Sequence, residues 1–337
     1  MQLKDLFFRT SFLYNLIPVL SLMKIAGKKV ILPFYHFVDD GANSLVSNLY
    51  QAKNTSQFIE DLHYFKKHFN SLSVSDFDAK EKIETNSFLL SFDDGLSNFY
   101  HVVAPILLKE NVTAINFLNS NFIDNKALFY RYKVNILIDF FKKNNISKEQ
   151  QTAINKVFKL TVFDTNTVCN LLKNIEISET DILDNCAKIV AFSFSDFLKN
   201  DKPYLSVQQI FTLIKSGFSF GAHSKSHPKY SSISLEKQLV ETMESVAIIA
   251  EKFNLKSNYF SFPFSDDGVL IDFFEKIKLK KITTFGTAGL KDDDMENHYQ
   301  RIQMERKFIF SAETIIKGEL ILYIVKRVFG KHKNIRN

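Results

Sequence analysis

The sequence predicts an α/β fold with parallel strands. Short apolar segments rich in β-branched and aromatic residues alternate with amphipathic helical stretches, and several of these segments run straight into polar turns. At 337 residues the chain is also long enough to bury a large core. Taken in order, Phe12 to Met23 is an apolar stretch containing Pro18, about half the roughly 20 residues that a membrane-spanning helix needs. It reads as a short helix that packs on the fold or lies on a membrane surface. Lys29 to Phe37 reads as the first strand. In Gln57 to Asn70, Phe58, Leu62, Phe65 and Phe69 recur at helical spacing.

Ser87 to Phe92 is a buried strand ending in Asp93-Asp94-Gly95, followed by a helix from Ser97 to Glu110 and a strand from Thr113 to Leu118. From Asn121 to Pro203 polar helical stretches dominate, among them Lys142 to Lys159 and Asp164 to Lys173, and no chemical motif stands out. This part reads as a helical insertion. The alternation resumes with a helix from Ser206 to Ser216, a strand from Phe218 to Ala222 ending at His223, and a helix from Ser234 to Phe253. Tyr259 to Phe264 and Lys281 to Phe285 read as strands, and Ile315 to Phe329 as a helix followed by a basic tail with Lys331, Lys333 and Arg336. The expected division is a terminal helix in 1–28, a main α/β domain in 29–310 interrupted by the insertion at 121–203, and a helix with a tail in 311–337.

Apolar residues make up 45% of the chain and charged ones 24%, with 10 Gly and 6 Pro, which excludes a disordered or collagen-like protein. The net charge of +6 is modest and comes without long basic clusters, so no nucleic-acid partner is expected. Cys169 and Cys186 alone make neither a disulfide framework nor a thiolate metal site, so any metal must be held by His and carboxylates. No small-x-small cleavage site follows the first apolar stretch. The resulting expectation is a cytoplasmic protein, whose two basic-flanked terminal helices either pack on the fold or would suit peripheral contact with the inner membrane face.

Two segments carry chemistry. Asp93 and Asp94 are adjacent carboxylates at a strand end, and a divalent cation on one relieves their repulsion and leaves the other free as a base. His223 and His227 have the spacing that lets two imidazoles of a helical turn converge on one ion. One Asp and two His leave coordination positions for water and substrate, as catalytic zinc sites do.

Ser91-Phe92-Asp93-Asp94-Gly95 and His223-Ser224-Lys225-Ser226-His227 resemble the first two motifs of the polysaccharide deacetylases, the NodB-homology group of carbohydrate esterases. Phe260 to Ser265, with Pro263, is a weaker counterpart of the third motif. The resemblance covers roughly residues 29–118 and 204–305. It implies a distorted (β/α)7-type barrel and a metal-dependent deacetylase acting on an acetylated glycan: a polysaccharide, an oligosaccharide or a lipid-linked glycan. It further implies Asp93 as general base, Asp94, His223 and His227 as ligands of a divalent metal, zinc in first place, and Pro263 and Phe264 as a wall of the sugar groove. The motif's usual arginine is replaced by Ser261, and Arg301 is the expected substitute, with Arg131 behind it. No late Leu-x-His motif occurs. Tyr35-His36 resembles instead a subgroup with an N-terminal Tyr-His, which makes His36 the expected acid, His298 its alternative and Tyr35 a substrate contact. The rival readings are a sugar O-deacetylase and a catalytically silent glycan-binding protein.

Overall fold

The computed structural model describes residues 3–41, 45–79, 83, 85–256 and 258–336. Its centre is an eight-stranded, wholly parallel sheet. In chain order the strands are β1 (Pro33–Tyr35), β2 (Leu90–Phe92), β3 (Ala114–Leu118), β4 (Ser219–Ala222), β5 (Tyr259–Ser261), β6 (Thr283–Gly286), β7 (His298–Gln300) and β8 (Ile302–Gln303). The sheet order is β7-β6-β5-β4-β3-β2-β1-β8. Arg301 alone separates β7 from β8, so one stretch of chain pairs with β6 by its first half and with β1 by its second. The sheet thereby curls into a nearly closed α/β barrel of seven staves, the architecture expected from the sequence.

Besides the short helix Val74–Asp78, the helices are α1 (Leu3–Phe8), α2 (Val19–Ala26), α3 (Thr55–His68), α4 (Ala104–Lys109), α5 (Tyr130–Lys143), α6 (Lys148–Phe158), α7 (Thr165–Asn174), α8 (Thr180–Ile189), α9 (Phe194–Asp201), α10 (Val207–Lys215), α11 (Leu235–Phe253), α12 (Ile271–Lys278) and α13 (Ala312–Val328). Their starts follow local chemistry. Asn54 with Gln57, Ser147 with Gln150, and Ser206 with Gln209 form capping boxes at α3, α6 and α10. The largest apolar core lies between the barrel's outer face and its helices, and includes Phe58, Leu62 and Phe65 of α3 against Phe88 and Phe92. Ile115, Phe117, Tyr259 and Phe285 belong to a second core. The helices α5 to α8 gather around a third one, built on Leu137, Ile138, Val168, Leu172 and Leu183.

Three expected elements are broken. Phe12 to Met23 is a 3-10 turn at Ser11–Leu13 and then α2, because Pro18 has no N–H to continue a helix and instead precedes the first turn of the next. The stretch from Lys142 to Lys159 divides at Asn144, which is extended, and restarts at the Ser147 cap. The helix after Asp94 begins as a π turn, Phe99–Val103, before becoming α4. No helix of the described residues is long and apolar enough to cross a membrane.

Candidate active site

Strand alternation sorts the side chains of the barrel. Phe34 and His36 line a cavity of about 170 Å³ at the carboxyl ends of the strands, together with Asp93, Asp94, His223, His227 and Phe264. Tyr35, between Phe34 and His36, points the other way. Its fully buried ring packs on Phe58 of α3 and Phe92, and its hydroxyl donates to Asp61 at 2.7 Å. The expectation of a substrate contact at Tyr35 is corrected by this period of two. Pro263 is buried and lines no part of the cavity, whereas Phe264 does.

The turn after β2 sets the two carboxylates apart. Asp94 sits in the left-handed region at φ 73° and Gly95 follows at φ 64°. A Cβ on residue 95 would lie 2.8 Å from the Leu118 side chain, so only glycine lets the turn close against β3. Asp93 then points into the barrel and Asp94 towards the histidines. Asp94 Oδ1 stands 3.4 Å from His223 Nε2 and 3.2 Å from His227 Nε2.

The two histidines converge without a helical turn, contrary to the reason given for their spacing. Ser224 and His227 are both left-handed, at φ 66° and 60°. The loop is held from below by Glu241 of α11, which accepts from the backbone N–H groups of Lys225 at 2.9 Å and Ser226 at 3.0 Å and from the Ser226 hydroxyl at 2.8 Å. His223 Nδ1–H donates to the Ser261 carbonyl at 2.8 Å, which fixes the tautomer and turns the Nε2 lone pair to Asp94. Burial, working against Asp93, pushes the His223 pKa down to about 4, so its imidazole is neutral at pH 7.

These residues fit a divalent metal. One carboxylate and two imidazoles place their ligand atoms within 4.8 Å of one another. Asp94 Oδ1, the oxygen between the two imidazoles, is buried without a hydrogen-bond donor. A buried carboxylate oxygen left bare in this way suits a cation.

Arg301 is 1% exposed and lies inside the barrel, its guanidinium over the ring of Phe34 at 4.2 Å. Nη1 donates to Asp93 Oδ1 at 2.8 Å and Nη2 to Oδ2 at 2.7 Å, a two-pronged clamp. The remaining donors reach Ser91 Oγ at 3.0 Å and Ser261 Oγ at 2.5 Å. Burial would raise the Asp93 pKa, but Arg301, with His223 and His36, holds it below the ordinary carboxylate value. Arg131, by contrast, is on α5 and donates to the Lys173 carbonyl at 2.6 Å, away from Asp93.

His36 Nδ1 lies 2.6 Å from Glu305 Oε2, and Glu305 also accepts from the backbone N–H groups of His36 at 2.7 Å and Phe37 at 2.6 Å. Burial by itself would lower the His36 pKa. Glu305, with smaller contributions from Asp94 and Asp93, outweighs it and raises the value to about 9. His298 is elsewhere. It is buried among Asp266, Asp293, Gln300 and Arg336, whose guanidinium occupies the centre of that acidic cluster.

Four contributors were missed in the sequence. Glu305 is one, and the alternation Arg301, Gln303, Glu305 around β8 is a signal that points all three to the same side. Tyr50 stacks on His36, with ring centroids 5.1 Å apart. Tyr132 and Phe129 come from the start of the helical insertion, where no motif marks them. The fully buried Tyr132 donates its hydroxyl to Asp94 Oδ2, and Phe129 packs on His227 at 4.1 Å between ring centroids.

Among solved structures, the chain is similar to the Streptococcus pyogenes deacetylase PplD in complex with acetate, at TM-score 0.53 and 15% identity, covering 86% of this chain and 98% of that one. BC0361, a polysaccharide deacetylase from Bacillus cereus, gives TM-score 0.53 and 12% identity over 87% of this chain and 69% of that one. A de-N-acetylase from Aggregatibacter actinomycetemcomitans gives TM-score 0.52 and 14% identity over 85% and 99%. The barrel therefore has the fold of the polysaccharide deacetylases. No family model and no curated protein sequence matches the chain.

Proposed function

We propose that this protein belongs to the polysaccharide deacetylase family and is a metal-dependent hydrolase that removes the N-acetyl group of an amino sugar in a glycan. The observation that carries the reading is the pairing of two carboxylates with different surroundings. Asp93 is clamped through both oxygens by Arg301, while its neighbour Asp94 faces two imidazoles with a bare oxygen. Asp94, His223 and His227 would hold the metal, with zinc suited to this donor set. When bound, the metal supplies Lewis acidity to the acetyl carbonyl and to water.

The chain's own residues do the rest. Asp93 Oδ2 also accepts from the Ser261 hydroxyl at 3.3 Å, whereas Oδ1 keeps an acceptor site beyond its bond to Arg301 and takes the proton of the attacking water. The clamp fixes the direction of that carboxylate while Ser91 and Ser261 hold the guanidinium. Glu305 occupies Nδ1 of His36, which leaves Nε2–H to protonate the departing amine, and a pKa of about 9 keeps that proton in place at pH 7. Phe264 supplies an apolar wall to the cavity.

The test is acetate release from N-acetylated amino-sugar oligosaccharides, with metal content measured on the same samples. Asp93→Asn is expected to keep one metal per chain and lose nearly all turnover, and Asp94→Ala to lose both. Turnover at the wild-type rate in Asp93→Asn would remove Asp93 as the base. A wild-type protein that takes up no metal when zinc is offered would remove the enzyme reading.

A further inference from the structure

The terminal segments leave an apolar surface that the barrel does not cover. Ahead of α2, Phe12, Leu13 and Leu16 are 72, 68 and 92% exposed, and Leu20, in the first turn of α2, is 44% exposed. The exposure is one-sided, because Val19, Leu22, Met23 and Ala26 of the same segment are buried in the main core. The end of α13 adds Val328 and Phe329, also largely exposed. Arg327 donates to the Ala26 carbonyl at 3.4 Å, which sets the ends of α2 and α13 side by side. Large apolar side chains grouped in this way mark an interaction surface.

Charge says what the surface meets. Residues 6–29 contain Arg9, Lys24, Lys28 and Lys29, residues 320–337 contain five Lys and Arg, and neither stretch contains an Asp or Glu. Lys28, Lys333 and Arg336 are tied to acidic residues of the segment around Asp292 and Asp293. Lys24, Lys29 and Lys331 remain exposed. A second copy of the chain would bring these like charges together, whereas anionic headgroups would neutralise them. α1, which precedes this segment in the chain, borders a groove that joins the cavity. The groove, of about 550 Å³, runs from Asp5 of α1 to Leu49, Tyr50 and Gln303, three residues that also line the cavity.

We propose that the face made by residues 12–20 and the end of α13 docks on an anionic lipid bilayer. Apolar side chains enter the headgroup boundary and the flanking lysines meet the lipid charge. The docking stands on exposure and charge alone. That the groove then receives a glycan presented at the bilayer rests on the deacetylase reading.

The experiment is co-sedimentation of the full chain, loaded with zinc, with vesicles of phosphatidylcholine alone or mixed with phosphatidylglycerol, at low and physiological salt. The protein is expected to bind the mixed vesicles, less so as salt rises, and to stay in the supernatant with the neutral ones. Phe12→Ser with Leu16→Ser, and separately Lys24→Glu with Lys29→Glu, are each expected to weaken binding about tenfold or more. All four side chains are exposed, so both variants should keep the wild-type unfolding midpoint and wild-type acetate release from a soluble substrate. Wild-type protein left in the supernatant with both vesicle types would overturn the proposal. So would variants that bind as the wild type does, or a dimer in solution that Phe12→Ser with Leu16→Ser abolishes while no vesicle binding is seen. Absence of acetate release from every form, with vesicle binding intact, would count against the deacetylase reading and leave the docking standing.

Discussion

Replacing Tyr132 with Phe removes one oxygen atom from the site. That oxygen donates to Asp94 Oδ2, the oxygen of the proposed metal-binding carboxylate that does not sit between the imidazoles. Without it, Oδ2 stays buried with its charge-assisted bond gone, and the carboxylate is free to rotate. A hydrogen bond to a charged group contributes about 1.5–3 kcal/mol, and loss of such an outer partner weakens metal binding roughly 10- to 100-fold. The two figures agree, since about 1.4 kcal/mol is a factor of ten. The assay is competition for zinc against a chromophoric chelator, on wild type and Tyr132→Phe, with unfolding of the metal-free forms as the control for folding. The expected result is metal affinity lowered by one to two orders of magnitude, with a far smaller effect on the metal-free protein. A Tyr132→Phe affinity within about twofold of wild type would refute the reasoning and return the insertion to a purely packing role.

Arg301→Ala strands the buried Asp93 carboxylate, and breaking a buried ion pair costs about 3–5 kcal/mol; denaturant unfolding should read that loss, and acetate release should fall with it. Glu305→Gln removes the charge that outweighs burial at His36. The activity of the wild type should decline as pH rises through about 9, where His36 loses its proton, and the variant's alkaline limb should move to lower pH in a pH–rate profile. The same raised pKa has a stability sign: the His36–Glu305 contribution is complete below the ordinary value of 6.5 and is lost as pH rises through about 9, which urea midpoints across that range would show. Gly95→Ala should cost about 1–2 kcal/mol from the left-handed backbone alone, plus the clash with Leu118, and should lower both the melting temperature and metal occupancy.

Much of this was legible because strand ends, turns and caps are local. Asp93-Asp94-Gly95 announces a turn that only glycine completes, and the strand before it places both carboxylates at the rim. Six strands of the barrel were legible to the same degree, since each helix–strand unit is written consecutively, whereas β7 and β8 on either side of Arg301 were not among the expected strands. What did not show is contact made across long separations. Tyr132 reaches Asp94 from a segment that reads as polar surface helix, and nothing local distinguishes it from Tyr130, whose ring is partnered by Arg131. Tyr35 failed for the opposite reason. Its place beside His36 suggested a shared role, but neighbours in a strand face opposite ways. The histidine pair converged through left-handed backbone that no side-chain pattern encodes.

The position of Arg301 at the seam of the barrel bears on how the molecule comes into being. Asp93 and its clamp are 208 residues apart in the chain, and the strand that carries Arg301 is the last stave to be synthesised. Until that stave closes between β6 and β1, Asp93 stands beside Asp94 with no guanidinium to clamp it. Closing so long a loop costs entropy, and domains with many non-local pairings fold slowly. On the proposed mechanism, competence for catalysis therefore arrives with closure of the barrel, and an emerging chain that has made both proposed metal-binding motifs still lacks a positioned base.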